Sequence, residues 1–191
     1  CGIAGFIDSP GRLGHEKASE TVRRMIASLA HRGPDGAAFL IEHGGRVALG
    51  HRRLSIIDLS EAGTQPMASA DGRWLIIFNG EIYIFQEMRQ AYDALRVPLE
   101  WRCHSDTEVF LETVAAFGIE KALSDANGMF AIILWDRRDH ALFMARDRMG
   151  EKPLYYGWQD GSFLFGSELK ALAAHPAFSR RMDKGALGLF L

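Results

Sequence analysis

The sequence is short of the features that usually announce a function. It has two cysteines, Cys1 and Cys103, in 191 residues. Two could close one disulfide, but they make no disulfide framework, and Cys103, with no motif around it, reads as a free thiol. Long apolar runs are also missing. The longest, Trp74 to Phe78 and Met129 to Trp135, are far too short to span a bilayer. No Lys/Arg-rich run occurs and the formal net charge is −2, so nothing points to a nucleic-acid or anionic-membrane partner. C-x-x-C, H-E-x-x-H, G-x-S-x-G and G-x-x-x-x-G-K-[ST] are all absent. The seven histidines fall in separate segments without ligand spacing, so no metal is expected. The chain opens on cysteine with Asp8 close behind, so no signal peptide is expected. There are no repeats, no low-complexity linkers and no domain boundary before about residue 175. What remains is a chain with 48% hydrophobic and 24% charged residues, enough to bury a real core in a single domain.

Cys1 to Asp8 reads as a strand, broken by Pro10, Gly11 and Gly14. Residues 15–30 read as an amphipathic helix, because Ala18, Val22, Met25, Ile26 and Leu29 recur at helical spacing. His31 to Gly36 is a loop punctuated by glycine and proline. Strands are expected near 37–41, 46–50, 73–78, 128–136, 140–146, 153–158 and 162–167. Arg53 to Asp58 can be strand or loop. Helices are expected at 85–95, after Ser105 and at 168–174. Ser105-Asp106-Thr107-Glu108 has the form of a capping box, opening a helix whose Val109, Phe110, Val114 and Phe117 face a core. Trp74 to Phe78 and Met129 to Trp135 do not alternate, so both faces of those strands should be covered. Hairpin-length links near 137–139 and 159–161 call for antiparallel pairing. Together these features predict two packed antiparallel sheets with helices outside.

The chemistry centres on Cys1. A terminal cysteine carries a thiol, with pKa about 8.5, and a free amine, about 7.7–8.0, so both exchange protons near neutral pH. The amine can serve as general base for its own thiol, and no histidine is needed. Taken alone, a terminal cysteine is as readily a small apolar residue. Gly2 and Gly5 flank it, where a ligand would approach the backbone closely. Phe78-Asn79-Gly80-Glu81 ends a buried strand. The Asn79 amide and the Gly80 N–H can supply two donors to one oxygen, which is the composition of an oxyanion hole. Asn-Gly is equally a common turn dipeptide.

Eight blocks in order make the resemblance specific: Cys1 to Gly5, His31 to Gly36, Gly50 to Asp58, Gly63 to Met67, Asn79 to Tyr83, Ser105 to Glu108, Asp147 to Tyr156 and Phe165 to Leu172. Over nearly the whole chain they resemble the N-terminal glutaminase domain of glutamine-dependent asparagine synthetases, a class II glutamine amidotransferase. The H-R-G-P-D, H-R-R-L-S-I-I-D and N-G-E-I-Y blocks favour that branch over amidotransferases making glucosamine phosphate or phosphoribosylamine.

The resemblance implies an α+β N-terminal nucleophile hydrolase fold, a four-layer αββα sandwich of two antiparallel sheets, over residues 1–191. It implies hydrolysis of glutamine to glutamate and ammonia through a γ-glutamyl thioester on Cys1, with ammonia passed to aspartate amidation in a longer cytoplasmic protein. It makes Cys1 the nucleophile, with Asn79 and Gly80 as oxyanion donors. Arg53 would hold the substrate α-carboxylate, for which its planar fork is suited. Glu81 and Asp106 would hold the α-ammonium, and backbone around Leu54, Ile56 and Ile57 would line the pocket. Each has a plainer rival: adjacent Arg52 and Arg53 suit a solvated surface, and an acid in a helix's first turn helps the dipole. One cation and two anions together match a zwitterionic amino acid.

His31 to Gly36 is expected to pack near the pocket, with Asp147 to Tyr156, Ser167 and Glu168 as fold elements. Two departures stand out. The family usually places Asn after N-G-E-I-Y, where Ile84 stands, which would alter hydrogen bonding behind the pocket. The family's ATP-dependent domain, with its S-G-G-x-D-S loop, is absent. The apolar stretch ending at Leu191 is expected to be a cut from a longer chain. No cofactor is expected for the glutaminase step; ATP and Mg²⁺ belong to the absent synthetase domain. Expected partners are glutamine and that domain, with room for a homodimer.

Overall fold

The computed structural model describes residues 1–8, 12–55, 60–181, 185, 188 and 189. Among them, two sheets account for all the strands. The first has the order β2-β3-β1-β9-β8, from β1 (Gly2–Ile7), β2 (Gly36–Glu42), β3 (Val47–Arg53), β8 (Tyr155–Gln159) and β9 (Ser162–Gly166). The second runs β4-β5-β6-β7, from β4 (Met67–Ala68), β5 (Trp74–Ile82), β6 (Gly128–Asp136) and β7 (Ala141–Arg146). Every pairing is antiparallel. The β8–β9 link, Asp160-Gly161, has positive φ at both residues (44° and 75°), as a two-residue hairpin turn requires.

Three apolar clusters mark the three interfaces of a four-layer sandwich. Against the outer face of the first sheet, Ala18, Val22, Met25, Ile26 and Leu29 of α1 (His15–Ala27) and its exit meet Ala4, Phe6 and Ala48. Between the sheets, Ile3, Val47 and Leu49 meet Leu75, Ile77, Ala131 and Ile133. Outside the second sheet, Ile76, Phe78, Ile132 and Leu134 pack with α2 (Phe85–Asp93), α3 (Asp106–Phe117) and α4 (Ile119–Asp125). The strands that do not alternate in hydrophobicity are therefore those covered on both faces. Each such fully buried side chain contributes about 1.5–3 kcal/mol relative to exposure. The fold class expected from the sequence is the one observed.

Several local expectations are corrected. The helix expected over 15–30 ends at Ala27, and the chain leaves it through a short 3-10 turn at Ala30–Arg32. Asn79-Gly80 neither turns nor ends a strand; β5 runs on to Ile82, because β6 offers nine residues of partner from Asp136 to Gly128. Phe117, at the C-terminal end of α3, is exposed. Only half of the capping box forms. Ser105 Oγ accepts from Glu108 N at 3.2 Å, but the Glu108 carboxylate reaches past Ser105 to the N–H groups of Arg102 and Cys103, at 3.0 and 2.9 Å. What approaches Gly2 and Gly5 is the protein itself. A Cβ on Gly2 would press on Leu29, and one on Gly5 would collide with the Ala48 carbonyl. α4 and β4 had no counterpart in the sequence reading.

Candidate active site

Strand parity brings the candidate residues to one place. Ile3 faces the gap between the sheets, so Cys1, two residues earlier, faces it too. Val47 and Leu49 face the same gap, which directs His51 and Arg53 there. From the second sheet, Leu75 and Ile77 do likewise, and Asn79 and Glu81 continue that row. Cys1 precedes the Gly2–Arg52 pair and so lies beside the end of β3. These side chains line one cavity of about 160 Å³ at an end of the sandwich, together with Leu54, Gly80, Asp106, Gln65, Thr107, Met129 and Lys152.

The nucleophile candidate is held by its neighbours. Leu54 N–H donates to Cys1 Sγ at 3.4 Å, and the Leu54 carbonyl lies 3.6 Å from the sulfur. The α-amine is pushed down from its usual value near 8 to about 6. Burial is the largest cause, followed by the positive charges of Arg32 and Lys152, with Asp35 opposing. At neutral pH the amine is therefore mostly unprotonated, as a general base must be.

The His31 to Gly36 loop braces this corner. Arg32 Nε donates to the Cys1 carbonyl at 3.1 Å, and its Nη1 pairs with Glu168 at 3.0 Å. Asp35 Oδ2 accepts from Ser55 N at 2.8 Å. Gly33 has no room for a Cβ, which would meet the Arg52 backbone at 2.5 Å. Ser167 exchanges two hydrogen bonds with the Ile3 backbone, at 3.0 Å through its hydroxyl and 2.8 Å through its N–H. The Asp147 carboxylate gathers the N–H groups of Phe130, Glu151 and Lys152 at 3.2, 2.9 and 3.0 Å, fixing the turn that carries Lys152. These blocks act in support of the cavity rather than inside it, Lys152 excepted.

The second wall is an uncovered strand edge. β4 pairs with β5 only at Leu75 and Ile76, so the outward backbone groups of Phe78, Gly80 and Ile82 lack a strand partner. Side chains take most of them. Phe78 N–H donates to Gln65 Oε1 at 2.6 Å, Phe78 C=O accepts from His51 Nε2 at 3.1 Å, and Ile82 N–H donates to Asp106 Oδ2 at 2.9 Å. The residue between them is Gly80. Its partner Phe130 spends both backbone groups on Asp147, away from β5, so Gly80 likewise turns its N–H outward, away from β6. A Cβ at Gly80 would collide with the Met129 carbonyl. Next to it, Asn79 is buried and its Nδ2 finds no hydrogen-bond partner. An unpaired buried amide costs about 1–3 kcal/mol, a cost that an acceptor bound in the cavity would offset.

The charged candidates line the same cavity. Arg53 Nη1 donates to the Ser60 carbonyl at 2.7 Å. Asp106, the first residue of α3, is buried; that burial pushes its carboxyl up, the nearby Glu81 adds to the effect, and the Ile82 N–H opposes it. A cation bound here would offset the burial cost of the Asp106 carboxylate. Ile56 and Ile57 lie outside the described residues. Ile84 lies outside the lining: it packs with the cluster outside the second sheet and precedes α2 without a side-chain cap. His51, Gln65 and Lys152 also line the cavity, although the sequence implies no role for them. Each stands in a block that carries the resemblance, and His51 also keeps even spacing from Val47 and Leu49. Among the described residues no group of three or more His, Cys, Asp or Glu could hold a metal ion, and no helix is long and apolar enough to cross a membrane.

Known proteins resemble this chain in sequence and in shape. It is 41% identical over 189 residues to asparagine synthetase [glutamine-hydrolyzing] 3 of Bacillus subtilis, covering 98% of this chain and 30% of that protein. It is 34% identical over 210 residues to a putative asparagine synthetase [glutamine-hydrolyzing] 2 of Methanocaldococcus jannaschii, covering 100% and 38%. The chain thus spans about a third of the length of these relatives. In shape it matches glutamine phosphoribosylpyrophosphate amidotransferase from B. subtilis, with a TM-score of 0.73 at 21% identity over 91% of this chain and 43% of that one, a likeness of fold. The glutamine amidotransferase domain family matches residues 1–191, and the chain belongs to it.

Proposed function

We propose that this domain hydrolyses glutamine with Cys1 as nucleophile, and that the ammonia serves asparagine synthesis in a longer protein. The observation that carries the reading is the buried, unpartnered Asn79 amide in the cavity of a cysteine sulfur whose own amine is pushed down to about 6 by burial. The amine takes the thiol proton, directly or through water, as sulfur bonds to the glutamine amide carbon. The carbonyl oxygen becomes an oxyanion between Asn79 Nδ2 and Gly80 N–H. The ammonium form of the Cys1 amine then returns its proton to the departing nitrogen, giving ammonia and a γ-glutamyl thioester. Water, with the amine again as base, attacks the thioester and releases glutamate and the free thiol. An oxyanion donor of this kind is worth about 3–4 kcal/mol of barrier.

Arg53 takes the α-carboxylate and the Glu81–Asp106 pair the α-ammonium. An amino-acid head offers a carboxylate to the cation and an ammonium to the two acids, which favours glutamine over acyl donors without one. The Leu54 backbone keeps the sulfur in place. None of these steps requires ATP or Mg²⁺, which belong to amidation of the acceptor in a further domain. A free thiol at Cys1 fits the cytoplasm. Glutamate production by the wild type and by Cys1→Ala, with glutamine binding followed by calorimetry, is the test. Binding without turnover in Cys1→Ala is expected; turnover in that variant, or binding without ammonia release in the wild type, overturns the reading. The mass of the N-terminus must be checked alongside, since a retained methionine removes the base.

A further inference from the structure

We infer that His51 and Gln65 are positioning residues for the oxyanion donors, replacing the strand that β4 is too short to supply. The inference rests on the roles proposed for Asn79 and Gly80. Beyond Ile76 the outer edge of β5 is unpaired by any strand among the described residues. An edge of that kind is free to twist or bulge. Here it is held at Phe78 by both backbone groups, through side chains from two different places. Gln65 comes from the segment before β4; its Oε1 takes the Phe78 N–H at 2.6 Å, and its Nε2 reaches Thr107 Oγ1 at 3.3 Å, which ties the clamp to α3. His51 comes from β3 in the other sheet and donates to the Phe78 carbonyl at 3.1 Å. That bond joins the sheet carrying Cys1 to the residue preceding Asn79.

The chemistry suits the task. Both side chains are almost fully buried, so their bonds are shielded from water. Burial above all pushes His51 down to about 3, so it stays neutral throughout the working pH range. Its Nε2 proton is committed to Phe78, so it does not compete with the Cys1 amine as base. Asn79 and Gly80 follow the clamped residue directly, and Asp106 holds Ile82 beyond them. The donors sit between two fixed points.

The test compares His51→Leu, His51→Gln and Gln65→Leu with the wild type in steady-state glutaminase assays and in Cys1 alkylation by iodoacetamide. His51→Leu removes the donor; glutamine at 51 can restore an N–H at the Nε2 position. Misplacement of catalytic donors by about 1 Å costs up to about a hundredfold. We expect His51→Leu and Gln65→Leu to lower kcat by about ten- to a hundredfold with KM within about twofold, His51→Gln to recover most of it, and alkylation to be unchanged. Unchanged kcat in both leucine variants overturns the inference, as does a parallel loss of kcat and alkylation, which would mean general damage to the site. If His51→Leu does not fold, Gln65→Leu and His51→Gln decide by the same criteria. Asn79→Ala separates the two levels. If it turns over normally, the oxyanion reading itself falls; if it is slow while the clamp variants are normal, only the clamp falls.

Discussion

Cys1 can act as its own base only while its amine is unprotonated. With that amine near 6, kcat/KM should rise with pH through about 6 and level off by neutrality, measured between pH 5 and 8. Lys152 is one of the positive charges that keep the amine low. Lys152→Met should therefore move the acid limb to higher pH; an unmoved limb would remove Lys152 from the account. The same lowered amine affects folding. Between about pH 6 and 8 the unfolded chain binds more protons there than the folded one, so this group's contribution makes stability rise with pH across that window. The catalytic candidates were legible through the resemblance: a terminal thiol and an Asn-Gly pair suit the chemistry but have plainer readings, and Arg53, Glu81 and Asp106 are singled out only by the ordered blocks around them. The roles inferred for His51 and Gln65 were not legible, because their work is done through the backbone of Phe78, and nothing in a sequence marks which backbone groups will lack a strand.

β5 should separate catalysis from binding. On the proposed mechanism Asn79→Ala removes a donor needed only in the transition state, so kcat should fall by about 10²–10³ with little change in KM. Arg53→Ala, at the end of β3, should chiefly raise KM. Steady-state kinetics on both decides, and the reverse pattern would exchange the two roles. The start of α3 makes a different prediction. Cys103 is free and buried, and its sulfur lies 3.0 Å from Ser105 Oγ and 3.2 Å from Glu108 Oε2, outside the cavity lining. Cys103→Ala should keep glutaminase activity and lose about 1 kcal/mol of stability in a denaturant titration. Element types were largely readable from periodicity, while the end of β5 was not. Turn chemistry at Asn79-Gly80 gave way to long-range pairing with β6, which no local window contains. Ile84 likewise gives up a side-chain cap for apolar packing beside α2, a trade settled by tertiary contacts.

For the molecule as a whole, the proposed chemistry ends at ammonia. The chain should hydrolyse glutamine with no ATP and with Mg²⁺ chelated, because the thiol step uses neither; dependence on either would contradict the mechanism. Joined to the remaining two-thirds found in its relatives and supplied with ATP and Mg²⁺, it should on this proposal yield asparagine from aspartate and glutamine. A different amidated product would leave the glutaminase standing and change only the acceptor. The four layers were legible from the doubly buried runs and the hairpin links; that Cys1 and Asn79 share a cavity was implied by the resemblance alone, since it depends on how two sheets stack.

That stacking turns the inter-sheet core into a calliper. Its two jaws carry the sulfur and the proposed oxyanion donors, and the side chains of Ile3, Leu49, Leu75 and Ile77 set the opening. Shaving one methyl from the gap, as in Ile77→Val, should cost about 1 kcal/mol of stability and also slow turnover. Trimming Val22, on the face of α1 that packs against the outer side of the first sheet, should destabilise the protein and leave the rate of the remaining folded molecules alone. Thickness, rather than stability, would then be the property of the core that the reaction senses.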